Sequence, residues 1–585
     1  MTTPRELIAQ HTTQSQMSSF FIDKMGIVNV KSYGAEGDGI ADDQPAVQSA
    51  ASSLTIPGTL FFPATNAYYY INGDLTIPAG VNILSNGATI HVAGFLTLSG
   101  DNKIEGLVFD GKWSTKGVKI NAAGCKILFN SFENIKSPIV GQTNTINFAD
   151  GIGDAEIFGN TFDGIKPHAE DAVGGNDEGV SRAIRLAGGN NILIESNVFK
   201  NMEGYEDSDY IHAYNPTSTN TTTFPYQAVS GYVYSRVNGV IIRNNIFYHA
   251  LNKSCVKVQC SGVQVLDNEF IVNYNATGGT TFSVVRSHNN FGTIFKGNKI
   301  YNYGTKLVYL VYLEYCEDII FEDNKIYMEN SVSDTTSRIM YVISCKNPVI
   351  KNNYIEGYNN KEDVRFDSCK FVHFTGNTIK YKHTDLASRY TINIVKTAVS
   401  ITNTTFIIKD NVWYSDAALQ QSMNFQDISG IIFENNDFVN SPFGGFTFQT
   451  ASGVLIKENS FGVTSIYFSS MNAGCSNIQI IRNKLGSNVA RFINFSAAAT
   501  GVKAIGNIFD TAPTQDVFSV GASGQLVTEL TYLPGSPLLV KCDYGTTAQR
   551  PTFNKSIRYV YYDSDLTKLI TWDSANWRDG AGTAV

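Results

Sequence analysis

Long apolar runs are missing from this 585-residue chain. The longest, such as "LVYLVYL" from Leu307, fall far short of the roughly 20 residues a spanning helix needs, so membrane insertion is not expected. A basic excess is missing too. The 44 Lys and Arg against 52 Asp and Glu leave a formal charge of −8, which argues against a nucleic-acid partner. The cysteines form no C-x-x-C pair and no Cys/His cluster at zinc spacing, so neither a metal site nor a disulfide framework is expected. No basic segment followed by an apolar one opens the chain, so no secretory signal is expected. Amphipathic helical stripes are scarce. What the chain has instead is 43% hydrophobic residues with 50 Gly, 36 Phe and 30 Tyr, the material of strands, turns and a large core.

A short apolar strand followed by Asn, any residue and a large apolar residue recurs fourteen times, first at Asn130 and last at Asn507, at spacings of 23 to 48 residues. A period in this range indicates a solenoid, propeller or array. Units such as "GIIFENNDF" at Gly430 and "GVLIKENSF" at Gly453 contain no helix and are too short for four-stranded blades. The fold expected is all-β: a right-handed parallel β-helix. In it, equivalent positions stack into ladders about 4.7–4.9 Å apart. Asn suits the turn because its amide tolerates a left-handed backbone and hydrogen-bonds along a ladder. The apolar residue two places later, Phe247, Phe270, Ile300, Ile326 or Phe438, returns to the core. Cys260, Cys316, Cys345, Cys369 and Cys475 each stand eight residues before their Asn and form a second, interior column.

Upstream lies "VNVKSYGAEGDGIADDQPAVQSAASS" from Val28, with Tyr33, Gly34, Ala35, Gly37, Asp38, Gly39, Asp42 and Asp43 in a compact Gly/Asp motif. It resembles the opening motif of pectate-lyase-like right-handed β-helix proteins. Asp42 or Asp43 is expected to cap a short helix that covers the first coil. At the other end, "YGTTAQRPTFNKSIRYVYYDSDLTKLITWDSANWRDGAGTAV" from Tyr544 carries Arg550, Pro551, Tyr562, Asp563, Trp572, Trp577 and Asp579. It resembles a β-hairpin module found at the C-termini of phage tail and appendage proteins. Together the ends make the chain resemble a phage or prophage tailspike or pre-neck appendage protein. That resemblance implies a virion location and a homotrimer joined to other phage tail or baseplate proteins. It also implies binding or cleavage of a host cell-surface polysaccharide or teichoic acid. The organisation expected is a virion-attachment leader over 1–24, the β-helix over 25–520 and a β-hairpin module over 521–585.

Chemistry in a solenoid belongs to interrupted coils and to polar residues on strand faces. The two longest intervals, 37 and 48 residues, contain "KPHAEDAVGGNDEGVSRAIR" and "MEGYEDSDYIHAYNPTSTNTTTFPY". Glycosidic hydrolysis needs two carboxyl groups, and Glu206, Asp207 and Asp209 offer them beside His212. Strand alternation offers a second set. Counting back four and two places from the cysteine column, which Asn290 occupies in one coil, puts Arg286 and His288, Tyr312 and Glu314, Tyr341 and Ile343, and Arg365 and Asp367 outward, with Val311, Leu313, Val342 and Val364 inward. Glu314 and Asp367 would then lie two coils, about 9–10 Å, apart, near the upper limit for an inverting pair that holds a water between them. Arg286, His288, Tyr312, Tyr341, Arg365 and His212 are the expected substrate contacts. An ordinary exposed polar ladder is the alternative. No cofactor is called for.

Overall fold

The computed structural model describes residues 26–585 apart from 112–115, 137–142, 167–179, 204–207, 215–235, 250–253, 274–282, 305–308, 330–337, 358–361, 382–389, 397–402, 416–420, 465–466, 473, 488–490, 496–498, 511–525, 530–540, 551–559, 564, 567, 573–574 and 580–582. The expected leader, Glu206 and Asp207 therefore lie outside the described residues. The chain divides into two compact units, Met1–Lys306 and Leu307–Val585.

Each unit is a stack of coils with three parallel sheets. In the first unit, sheet A precedes the Asn column (Ala155–Phe158 on Ile192–Glu195), sheet B follows it (Thr161–Asp163 on Val198–Lys200), and sheet C completes the coil (Ser181–Ala187 on Asp209–Tyr214). The second unit repeats this with Val349–Lys351 on Lys370–Thr375, Tyr354–Gly357 on Thr378–Tyr381, and Arg338–Ile343 on Glu362–Asp367. This is the right-handed parallel β-helix that the repeat predicts, its hand that of nearly all parallel crossovers.

The Asn column is buried and laddered. Asn353 Nδ2 donates to Asn377 Oδ1 (2.9 Å) and to Phe321 O (2.9 Å), while Asn353 Oδ1 accepts from Asn324 N and Nδ2 at 2.9 and 3.0 Å. One expectation about it is corrected. The left-handed residue is the one before the Asn: φ is +56° at Phe129, +58° at Ser196, +55° at Asn352 and +56° at Glu458. Gly376 occupies the same position at φ +65°, and a Cβ there would meet Asn352 Oδ1 at 2.6 Å. Two places after the Asn, Phe132, Phe162, Phe199, Phe247 and Phe270 stack at centroid distances of 4.7–4.9 Å, the rung spacing itself. The five column cysteines are buried and none forms a disulfide.

At the start, Gln44–Ser53 forms α1, with Val47, Ala50 and Ala51 buried. Asp43 sits at its N-cap but makes no side-chain capping bond. Its carboxylate accepts instead from Glu36 N (2.6 Å), Gly37 N and Tyr70 N (3.1 Å), tying the Gly/Asp loop to Tyr68–Ile71. Asp42 Oδ1 accepts from Gln44 N at 3.0 Å, and Pro in the first turn has no N–H to satisfy. At the other end, parallel stacking gives way to antiparallel pairing of Leu526–Glu529 with Lys541–Gly545. Beyond it Tyr561, Ile570 and Trp577 form a small core of their own. The "FGGFTF" segment is interior: Phe443, Phe446 and Phe448 are buried, with Phe443 tilted against Phe461 at 4.6 Å and Phe446 edge-on to Phe468 at 5.5 Å. No helix among the described residues is long and apolar enough to cross a membrane.

Candidate functional site

Sheet C of the second unit carries a polar face. Along it Leu313, Val342, Phe366 and Ile394 enter the core, so their neighbours point outward. Three polar ladders run along this face, the first of them set three residues before the second because consecutive buried residues, Leu310 and Val311 in one coil, interrupt the alternation. Tyr309, Arg338, Glu362 and Tyr390 form one; Tyr312, Tyr341, Arg365 and Asn393 the next; Glu314, Ile343, Asp367 and Val395 the third. Glu314 and Asp367 thus share a ladder with one rung between them, a separation of about 9–10 Å.

The tyrosines make a platform. Tyr309, Tyr312 and Tyr341 lie with centroids 5.1–5.5 Å apart, and the guanidinium groups of Arg338 and Arg365 sit 5.1 and 5.5 Å from the Tyr341 ring. Beneath it the charges interlock. Arg338 Nε is bonded to Glu362, Asn393 Nδ2 donates to Glu362 Oε1 at 2.6 Å, and Asn424 Nδ2 donates to Asn393 Oδ1 at 2.9 Å. Arg365 Nη2 (3.2 Å), Tyr341 OH (3.3 Å) and Ser368 Oγ (3.0 Å) all donate to the Asp367 carboxylate. Burial opposes ionisation of Glu362, but Arg338 and Arg365 outweigh it and hold its carboxyl below the usual range. Burial, reinforced by the charge of Asp367, pushes the Tyr341 hydroxyl well up.

Asp367 differs from its expected exposure. It lies on the outward ladder yet is 0% exposed, closed over by the groups that bond it, whereas Glu314 is half-buried. Asp209 also differs. It is the buried first residue of Asp209–Tyr214 in the first unit, not part of an acidic loop. His212 on that strand holds Gln259 Oε1 at 2.6 Å through Nε2, and its Nδ1 is 3.7 Å from Asp209 Oδ2. Gln259 Nε2 in turn lies 3.2 Å from His288 Nδ1. Burial, then the charges of Arg182 and Lys257, drive the His212 pKa well below its usual value, so the ring is neutral. Arg286 and His288 are half-buried on Ser283–His288, also in the first unit. Sequence reasoning missed Tyr309, Arg338 and Glu362. Each stands seven residues before its column cysteine, on the parity that strict alternation gives to the core; consecutive buried residues such as Leu310 and Val311 interrupt the alternation, so counting back by twos does not reach them. Among the described residues no group of His, Cys, Asp or Glu could hold a metal ion.

No family model matches the chain, and no curated protein matches it. Solved structures with a similar fold include phage tailspikes and other β-helix proteins. A tailspike protein of E. coli bacteriophage HK620, solved with a pentasaccharide, is 13% identical over 87% of this chain and 81% of its own (TM-score 0.34). The catalytic unit of an α-1,3-glucanase from Streptomyces thermodiastaticus is 11% identical over 85% and 68% (TM-score 0.30). PfbA, a surface adhesin of Streptococcus pneumoniae, is 12% identical over 94% and 97% (TM-score 0.27). At these TM-scores none of the three assigns a function to this chain.

Proposed function

We propose that this protein is a phage or prophage tailspike or appendage protein that binds a host cell-surface polymer, a wall polysaccharide or teichoic acid, and hydrolyses it on sheet C of the second unit. The phage assignment rests on the motifs at the two ends of the sequence. The observation that carries the chemistry is the shared ladder of Glu314 and Asp367 beside a tyrosine platform. A separation of about 9–10 Å leaves room for a water between two carboxyl groups, the arrangement of an inverting hydrolase. Asp367, fixed by three donors, would activate the water; half-buried Glu314 would protonate the leaving oxygen. The platform offers faces on which sugar rings stack.

A second reading, a non-catalytic receptor-binding or structural tail protein of the same fold, is favoured by one observation: Asp367 is fully buried. Incubating the purified protein with isolated cell walls and assaying released sugar and phosphate separates the two. On the first reading Glu314→Gln and Asp367→Asn each cut release by about 10²–10⁴-fold, while Asp209→Asn does not. Wall binding without release by the unaltered protein would give the second reading. The virion location, the attachment role of residues 1–24 and the homotrimer belong to the same proposal.

A further inference from the structure

Between the two carboxyl groups of the sheet C pair stands an aliphatic side chain. Glu314 is in register with Ile343 and Ile343 with Asp367, so the middle rung of that ladder presents a half-buried isoleucine, one sheet spacing of about 4.7–4.9 Å from each. A bond cleaved by this pair must lie over Ile343, because acid and base act from its two sides. The other side chains of these three coils that reach the surface are Tyr309, Tyr312 and Tyr341, with Glu314 and the edge of Arg365.

The charges around this place favour one kind of reacting group. Among the described residues the three ladders hold two cations, and both are turned to carboxylates. Arg338 Nε is bonded to Glu362, while Arg365 Nη2 lies 3.2 Å from Asp367 Oδ2 and Nη1 3.6 Å from Glu362 Oε2. Two guanidinium groups thus answer three carboxyl groups, Glu314, Glu362 and Asp367. The face is negative when Glu314 is ionised and neutral when it holds a proton; it is positive in neither state. A phosphodiester or a uronate carboxylate over Ile343 would lose hydration against an aliphatic surface and meet a carboxyl group on each side. Attack on phosphorus also places charge on the phosphoryl oxygens, which cationic clamps stabilise. Rupture of a glycosidic bond runs the other way: the sugar ring becomes oxocarbenium-like and gains positive charge, which this face favours.

We infer that the polymer cleaved on sheet C of the second unit is an uncharged polysaccharide, attacked at a glycosidic bond seated over Ile343, and not a teichoic acid or a polyuronate. The inference rests on the hydrolytic role proposed for Glu314 and Asp367 and narrows its substrate to one class. The oxygen of water bonds to the anomeric carbon as the bond from that carbon to the leaving oxygen breaks; Asp367 takes the proton of the water and Glu314 gives its own to the leaving oxygen.

The test digests isolated cell walls with the full chain and reads both the ends created and the charge of the fragments. New reducing ends without new phosphomonoester are expected, on oligosaccharides that pass unretained through an anion exchanger. Ile343 gives a second readout, since the position can be charged either way. Ile343→Lys should slow release about 100-fold by setting a cation beside a positive transition state, and Ile343→Glu should slow it less. Thermal unfolding checks that both variants fold; if neither does, the ends and fragments made by the unaltered protein decide alone. Phosphomonoester ends, acidic fragments, or faster release by Ile343→Lys than by Ile343→Glu would overturn the substrate class and leave the hydrolytic reading standing. No release by the unaltered protein would remove the hydrolytic reading and this inference with it.

Discussion

At the residue scale, two kinds of position in each coil behave differently from their appearance. The cysteines look reactive and are not. Burial pushes the thiols of Cys260 and Cys369 up to about 12, which leaves almost no thiolate near neutral pH. In native protein at pH 8, iodoacetamide should therefore label the column at least about 100-fold more slowly than in urea. Equal rates would place the cysteines at the surface and break the assignment of the column. The second kind is the residue before each Asn. The amide column was legible because it repeats, but its left-handed neighbour was not, since that position accepts Phe129, Ser196, Asn352, Glu458 or Gly376. A backbone requirement met by so many side chains leaves no pattern to read. The ladder's hydrogen bonds fix the geometry there, and a strained φ at a bulky residue is the cost.

At the scale of the element, the Asn ladder does work that apolar stacking cannot. Asn353 satisfies a backbone carbonyl and the amides of two neighbouring coils while 1% exposed. Asn353→Ala removes these bonds and strands buried donors and an acceptor, so a loss of about 2–4 kcal/mol is expected in urea unfolding. Asn352→Gly, one residue earlier, should be neutral or stabilising because φ is already +55° there. A reversed order of the two effects would return the structural role to the left-handed residue. The strand faces were legible for a simpler reason: parity alone places Glu314, Tyr312 and Arg365 outward and Leu313 and Val342 inward. Parity says nothing about what closes over a side chain. Asp367 is buried by Tyr341 from another coil as well as by Arg365 and Ser368. Such cover depends on contacts across coils, which a single strand's sequence does not carry.

At the scale of the whole molecule, assembly and acid response are the measurable quantities. The proposed homotrimer rests on the likeness of the chain ends alone; the phenylalanines at 443, 446 and 448 lie in the core and supply no apolar contact face. Sedimentation at micromolar concentration should give about three times the 64.1 kDa chain mass, and a monomer would remove that part of the proposal. The acid response follows from groups whose protonated forms the fold disfavours. His212 is buried among Arg182, Arg185 and Lys257 with Asp209 and Gln259 beside it, and its folded pKa lies well below the unfolded value of about 6.5. Its neutral form is therefore fully favourable above that pH, and stability is lost as pH falls below it because the unfolded chain takes up the proton more readily. The carboxyls of Glu195, held by Arg243, Glu434, held by Lys457, and Glu362, held by Arg338 against its own burial, are also depressed. Their contribution is present above the unfolded value of about 4.3 and is lost below it. The melting temperature should thus be level near pH 7–8, decline gently from about pH 6.5 and steepen below about 4.5. His212→Gln should flatten the first decline and leave the second, while Glu362→Gln, which strands Arg338, should lower the whole curve at pH 7 and soften its acid limb. A first decline unchanged by His212→Gln would show that the imidazole is not the group being titrated.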